Sequence, residues 1–197
     1  MSRIMDKRHF QELAALEPEE VCTRTGCSWE PREDAYCLRV WDRDYRIVPA
    51  ARRIEPVQAH QPEPHDYLAL FMLHYLLSAQ AIALQGEWIS EKDVPSGAAF
   101  FRGPHTLPTQ DITQRYGNDA QAFCRRCEAL QGTPLPMADA AYRFEITPRI
   151  PVAALYFLGD EDFPPASKLL FDATIARHLA PDVLFALAVA VCHRLAA

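Results

Sequence analysis

A chain of 197 residues, 49% hydrophobic and 23% charged, is long enough for one well-packed domain and short for two, so residues 1–197 are read as a single globular domain. A net charge of −6 and a pI near 5.6 argue against a broad phosphate-binding surface, which needs clustered Lys and Arg, and so against nucleic acid as a partner. No apolar run reaches the length of a secretory signal or a membrane span; a cytoplasmic protein with no membrane partner is expected, its six cysteines reduced thiols or metal or cluster ligands before a disulfide framework.

In chain order, residues 6–22 carry an amphipathic pattern, with Phe10, Leu13, Ala14 and Leu16 on one side. Pro18 divides it into two short helices, the second ending at Gly26. Across residues 35–48 apolar side chains alternate, Tyr36, Leu38 and Val40 and then Tyr45 and Ile47, around the polar turn Asp42-Arg43-Asp44; this is a β-hairpin. Residues 59–64, with prolines at 62 and 64, form a stiff connector whose last proline suits the first turn of the next helix.

The stretch YLALFMLHYLLSAQAIALQGEWI, residues 67–89, is the one the rest is organised around. Residues 67–80 are apolar on nearly every face and must be covered on nearly every side, which predicts a buried central helix. Trp88-Ile89 reads as a short strand, Pro95-Ser96-Gly97 as a turn, and residues 98–102 as a further short element. Two helices follow at 110–116 and 120–130, stopped by Gly117 and Gly132.

Residues 141–146 and 152–158 read as strands joined around Pro148, and 168–171 as another, after a loop at 159–165. Pro181 starts a C-terminal helix with Leu184, Leu187, Ala188, Val191 and Leu195 at helical spacing. The sum is an α+β domain, an antiparallel sheet with a buried central helix and a packed C-terminal helix.

The blocks YLALFMLHYLL, GEWIS, RIPVAALYFLGDEDFPPASKLLFD and HLAPD, in this order, resemble a prokaryotic family known only as a domain of unknown function, and the resemblance runs over most of the chain. That family occurs mainly in anaerobic bacteria and archaea, and some members resemble fusions to a four-cysteine iron–sulfur module of the kind found in corrinoid proteins. Cys22, Cys27 and Cys37 do not reproduce that closely spaced run, so the module is absent here. What the resemblance implies is a context of corrinoid or tetrapyrrole metabolism, with no established activity.

Four residues near the central helix are the candidate cofactor site. His74 follows Leu70 and Phe71 by four and three residues, so its imidazole shares a face with core side chains. There it serves either as an axial ligand or general base, or as a core histidine bonded to a carbonyl or carboxylate. Tyr75 adjoins it; Glu87 and Trp88 follow a glycine turn, Glu87 to orient an imidazole or pair at the surface, Trp88 to wall a ring ligand or fill the core.

Asp160, Glu161 and Asp162 place three carboxylates after a buried strand, either as a Mg²⁺ or Ca²⁺ site, a docking surface, or a solvated loop capping its own turn. Cys124 and Cys127 have CxxC spacing around two arginines that favour thiolate, and a zinc or iron–sulfur site needs Cys22 and Cys27 to join them. His178 lies near Asp172 and Asp182 at a helix start, as a carboxylate partner or an exposed helix-end histidine. Arg102 and Arg149, each beside a proline, read either as a clamp for a carboxylated ligand or as surface ion pairs.

Three functions follow. The first is a cofactor-binding or cofactor-handling domain taking a haem-like or corrinoid ring at His74, Tyr75, Glu87 and Trp88. The second is a small metal-dependent enzyme using His74, Glu87 and the 160–162 loop, which requires those segments to converge. The third is an adaptor that docks a protein partner, a larger redox or methyl-transfer complex, through the acidic loop or apolar patches.

Overall fold

A computed structural model describes residues 6–197; residues 1–5, part of the segment read as free of a signal-type apolar run, lie outside the described residues. The chain opens with α1 (Lys7–Ala14) and α2 (Pro18–Thr25), divided at Pro18 because proline suits the first helical position, where no N–H is needed. Asp6 caps α1 by accepting from the Arg8 N–H at 2.9 Å. Gly26 ends α2 in the left-handed conformation, φ 77°, which a side chain would strain.

A first antiparallel sheet follows, β1 (Ser28–Glu30), β2 (Ala35–Val40), β3 (Arg43–Val48) and β4 (Arg53–Pro56), paired in that order. The expected hairpin is β2–β3, but its turn is the two-residue Trp41-Asp42, not Asp42-Arg43-Asp44, since Val40 pairs with Arg43 and Arg39 with Asp44. The central helix α3 (Asp66–Ser78) buries Ala69, Phe71, Met72, Leu73, Tyr75 and Leu76. Each large apolar side chain so removed from water contributes roughly 1.5–3 kcal/mol. His65 caps α3, its Nδ1 accepting from the Leu68 N–H at 3.3 Å, so Pro64 lies just outside the helix and not in its first turn.

Residues 79–87 form neither helix nor strand and are pinned from below. His178 Nδ1 accepts from the Gln80 N–H at 3.2 Å, and the Asp172 carboxylate accepts from the Gln85 and Gly86 N–H groups at 3.2 and 2.8 Å. Beyond them come β5 (Trp88–Ile89), α4 (Gly97–Phe100), α5 (Gln110–Tyr116) and α6 (Ala120–Ala129). Next are β6 (Thr133–Pro134), β7 (Ala140–Thr147), β8 (Ile150–Phe157), β9 (Ala166–Asp172), α7 (Ile175–His178) and α8 (Pro181–Ala196).

The second sheet runs β5-β9-β8-β7-β6, antiparallel throughout. Two sheets thus form where one was expected. The first ladder closes at Pro56, which leads into the proline-rich connector, and one backbone bond, Trp41 N–H to the Ile146 carbonyl at 2.7 Å, ties its hairpin tip to β7. Strand β8 explains its own continuous apolar run: Val152, Ala154 and Tyr156 face the main core, while Ala153 and Leu155 face a second layer closed by Trp88, Leu135 and Met137. Helices α3 and α8 pack on each other within that main core, to which α1, α2, α5 and both sheets contribute. No helix among the described residues is long and apolar enough to cross a membrane.

Candidate functional site

The β2–β3 hairpin, the N-terminal end of α3 and the last turns of α8 meet around a cavity of about 200 Å³. Val40, Tyr45, Leu68, Leu187, Ala190 and Val191 make most of its wall apolar. Its polar groups are few. Asp42, the second turn residue, accepts from Nη2 of Arg194 at both carboxylate oxygens, at 2.8 and 2.7 Å. Burial lowers the Arg194 guanidinium from its ordinary value, and Asp42 opposes that pull in a half-buried wall.

The turn that aims Asp42 is strained. Trp41 sits at φ 60°, a left-handed conformation that costs a bulky residue about 1–3 kcal/mol. Three contacts hold it: its indole N–H donates to the Leu130 carbonyl at 2.8 Å, its backbone N–H donates to Ile146, and its ring packs on Phe144 with centroids 4.7 Å apart.

At the mouth His65 and His193 meet edge to face, ring centroids 5.3 Å apart. Because Nδ1 of His65 accepts the α3 cap bond, that ring carries its proton on Nε2, as a hydrogen-bond donor; a neutral imidazole in this state has no lone pair left for a metal. Desolvation and then the neighbouring His193 hold His65 below its usual value, so it is neutral at pH 7. His193 makes no hydrogen bond within the described residues and is the uncommitted imidazole of the pair.

The four residues expected to form the cofactor site are not brought together. His74 packs edge to face on His9 of α1, ring centroids 4.3 Å apart, and burial followed by His9 lowers its value. Tyr75 points to α2 instead: fully buried, it donates its hydroxyl to the Thr25 carbonyl at 2.6 Å, and burial pushes the phenol up to about 12. Glu87 is exposed, its carbonyl accepting from Ala173 N–H, and Trp88 packs against Ala141, Ala153 and Leu155 on the outer face of the second sheet. None of the four lines the cavity.

Nor do the parts of the metal-dependent enzyme converge. Glu87 sits beside the end of β9 and the 160–162 loop precedes its start, and a seven-residue strand separates them by roughly 20 Å. Asp160 turns inward on its own loop, Oδ1 accepting from the Asp162 and Phe163 N–H groups at 2.9 and 2.8 Å. Arg149 clamps the end of α2, donating to the Arg24 and Thr23 carbonyls at 3.1 and 3.4 Å, rather than a ligand.

A family model described as a domain of unknown function, DUF3786, matches residues 17–194, from the start of α2 to the Asp42 partner on α8. The chain belongs to the DUF3786 family. No curated protein and no solved structure matches it. In this DUF3786 domain the match takes in every residue that lines the cavity except Ala197.

The cysteines of the DUF3786 domain form no ligand set: among the described residues no group of three or more His, Cys, Asp and Glu is placed to hold a metal ion. Cys124 and Cys127 share a face of α6, with Cys127 fully buried, whereas Cys22 and Cys27 flank the end of α2. Arg125 is 66% exposed and Arg126 donates to the Arg194 carbonyl at 2.6 Å; burial, with Cys124 adding to it, raises the Cys127 thiol by more than Arg126 lowers it.

His178, read as carboxylate-paired or exposed, is 2% exposed and bonded through Nδ1 to Gln80, which leaves its Nε2–H buried with no protein partner. The residues that do converge, Asp42, His65, His193 and Arg194, carried no local signal. His65 is a helix cap and His193-Arg194 a basic last turn, and only the packing of α3 on α8 makes neighbours of them.

Proposed function

We propose that the DUF3786 domain is a cofactor-binding or cofactor-handling module whose ligand enters the cavity between the hairpin, α3 and α8. The observation that carries this reading is a mostly apolar cavity with few polar groups, among them the Nε2–H of His65 beside the ring of His193. An apolar pocket with a few converging polar groups is the usual composition of a small-molecule site.

Size narrows the ligand. A cavity of about 150 Å³ holds benzene, so about 200 Å³ takes one ring with a short substituent. We infer a planar ring bearing an acceptor such as a carboxylate, the acceptor turned towards the two imidazoles. A whole haem or corrinoid, the class implied by the family resemblance, does not fit inside; such a macrocycle engages this mouth only by one pyrrole edge and its acid side chain. His74 is not its axial ligand in this arrangement, since the ring packs on His9 and lines no part of the cavity.

Calorimetric titration of the full chain with benzoate, pyrrole-2-carboxylate, haem and a corrinoid tests the reading, with His65→Ala, His193→Ala and His74→Ala in parallel. The expected result is saturable binding of a one-ring acid, weakened about tenfold or more by either mouth substitution, as loss of a hydrogen bond to a charged group predicts. Haem binding that depends on His74 and not on His193 overturns it.

One observation favours the adaptor as a second reading. Phe163 is 71% exposed at the tip of the β8–β9 loop, directly after Asp160, Glu161 and Asp162. A partner with a basic rim around an apolar pocket suits that tip, and Phe163→Ala would then abolish capture of the partner while leaving ring binding unchanged.

A further inference from the structure

Helix α2 ends by a device that joins two particular side chains. Gly26, left-handed at φ 77°, donates its N–H to the Cys22 carbonyl at 2.8 Å. In this motif the residue after the left-handed one folds back over the residue five positions before it, a contact usually filled by two apolar side chains. Here those two residues are Cys27 and Cys22, and their sulfurs lie 3.6 Å apart. The i,i+5 spacing of the pair is therefore a product of the helix ending and not of chance approach.

The turn that holds them is buttressed on every carbonyl of its last three residues. Tyr75 donates its hydroxyl to Thr25 at 2.6 Å, and Arg149 donates to Arg24 and Thr23. Gly26 is backed by the Pro148 ring, which a Cβ at position 26 would meet at 3.1 Å. The backbone that carries the pair is thus held in place with the sulfurs 3.6 Å apart. A disulfide, at about 2.05 Å, needs them about 1.5 Å closer.

Both cysteines are half-buried against the main core, and Cys27 also lines an open groove with Ser28, Glu30 and Cys37. The other cysteines are differently placed: Cys37 donates its thiol to Glu30 at 3.0 Å, Cys127 and Cys192 are fully buried, and Cys124 shares a helix face with Cys127.

We propose that Cys22 and Cys27 are a dithiol site that closes to an intrachain disulfide by exchange with a small-molecule disulfide. The Cys27 sulfur attacks the reagent, whose S–S bond breaks with release of one thiol, leaving a mixed disulfide on Cys27. Cys22 then attacks Cys27 Sγ, forming the protein disulfide and releasing the second thiol. Two cysteine thiols are oxidised, the reagent takes up the two electrons and both protons, and an excess of free thiol reverses the exchange. Burial, foremost, pushes the Cys27 thiol up to about 12, so the first step is slow near neutrality and accelerates as pH rises.

The test uses the reduced full chain, incubated folded with oxidised glutathione and followed by intact mass, thiol titration and peptide mapping. The expected product is lighter by two hydrogens, has lost two of the six thiols, contains one peptide pair linked through Cys22 and Cys27, and is restored by dithiothreitol. Cys22→Ser is expected to arrest at a glutathione adduct on Cys27, and Cys27→Ser to prevent closure. The map of the unsubstituted protein decides the matter even if a variant fails to fold. A persistent wild-type adduct, a Cys27–Cys37 link, closure in denaturant alone, or six thiols left unmodified would overturn the proposal.

Discussion

Replacing Ala190 by leucine fills the cavity, and the sign of its effect on stability separates a true void from a packed wall. Ala190 lies on α8 with 7% of its surface exposed, facing the cavity of about 200 Å³. Leucine adds three carbons, about half the content of the benzene that a 150 Å³ cavity holds. At about 0.8 kcal/mol per buried methylene the gross gain is about 2.4 kcal/mol. Side-chain ordering costs about 0.5–1 kcal/mol of this, and the helix propensities of alanine and leucine are close. The free protein is therefore stabilised by about 1–2 kcal/mol, a rise in Tm of roughly 2–8 °C for a chain of this length. Binding of a one-ring acid falls at least tenfold in the same variant, because the leucine occupies its place. Denaturant unfolding and calorimetric titration measure the two effects. A loss of about 1–3 kcal/mol, the usual penalty of overpacking, would refute the reasoning by showing that no space exists beside Ala190.

Other consequences are as specific. Tyr75→Phe leaves the buried Thr25 carbonyl without its 2.6 Å donor and costs about 1–3 kcal/mol in denaturant unfolding; an unchanged midpoint removes that bond from the account. Burial, then Arg149 and Arg177, hold His178 below its ordinary value, and His65 and His74 are shifted in the same direction. The unfolded chain thus takes up protons first: stability is full above about pH 6.5 and is lost as pH falls below it towards the folded values. His178→Asn keeps an acceptor for Gln80 without the titration, so the fall in unfolding free energy between pH 7 and pH 5 becomes shallower; an unchanged slope assigns it elsewhere. Cys127 packs as a buried apolar group, so Cys127→Val changes stability by less than about 1.5 kcal/mol. Loss of a thiolate–metal absorption band in that variant would restore a metal site at 124 and 127.

Much of the fold was legible because its signals are local. Pro18 and Pro181 start helices, Gly26 and Gly117 stop them, and the alternation of residues 35–48 predicts the hairpin. Strands β1, β4 and β6 escaped notice because they are two to four residues long and mostly polar, too short for a period to show. Periodicity also names no pairing partner, so nothing local showed that the strands divide into two sheets after Pro56.

The site was hidden for a related reason. Asp42 and Arg194 lie 152 residues apart, and each reads locally as a turn acid or a helix-end base. His74 drew attention because it interrupts an apolar run, and packing against His9 is one way the fold accommodates such a histidine. CxxC spacing drew attention to Cys124 and Cys127, whereas the pair whose sulfurs approach, Cys22 and Cys27, depends on a left-handed glycine between helix and strand.

The most direct measurement is a titration of the isotopically labelled full chain with benzoate, followed through the imidazole resonances of His65, His193 and His74. A ligand seated in the cavity shifts His65 and His193 saturably and leaves His74 unmoved. Saturable shifts at His74 with His65 and His193 unchanged, or no saturable shift at the mouth with benzoate or pyrrole-2-carboxylate, would contradict the cavity as the binding site.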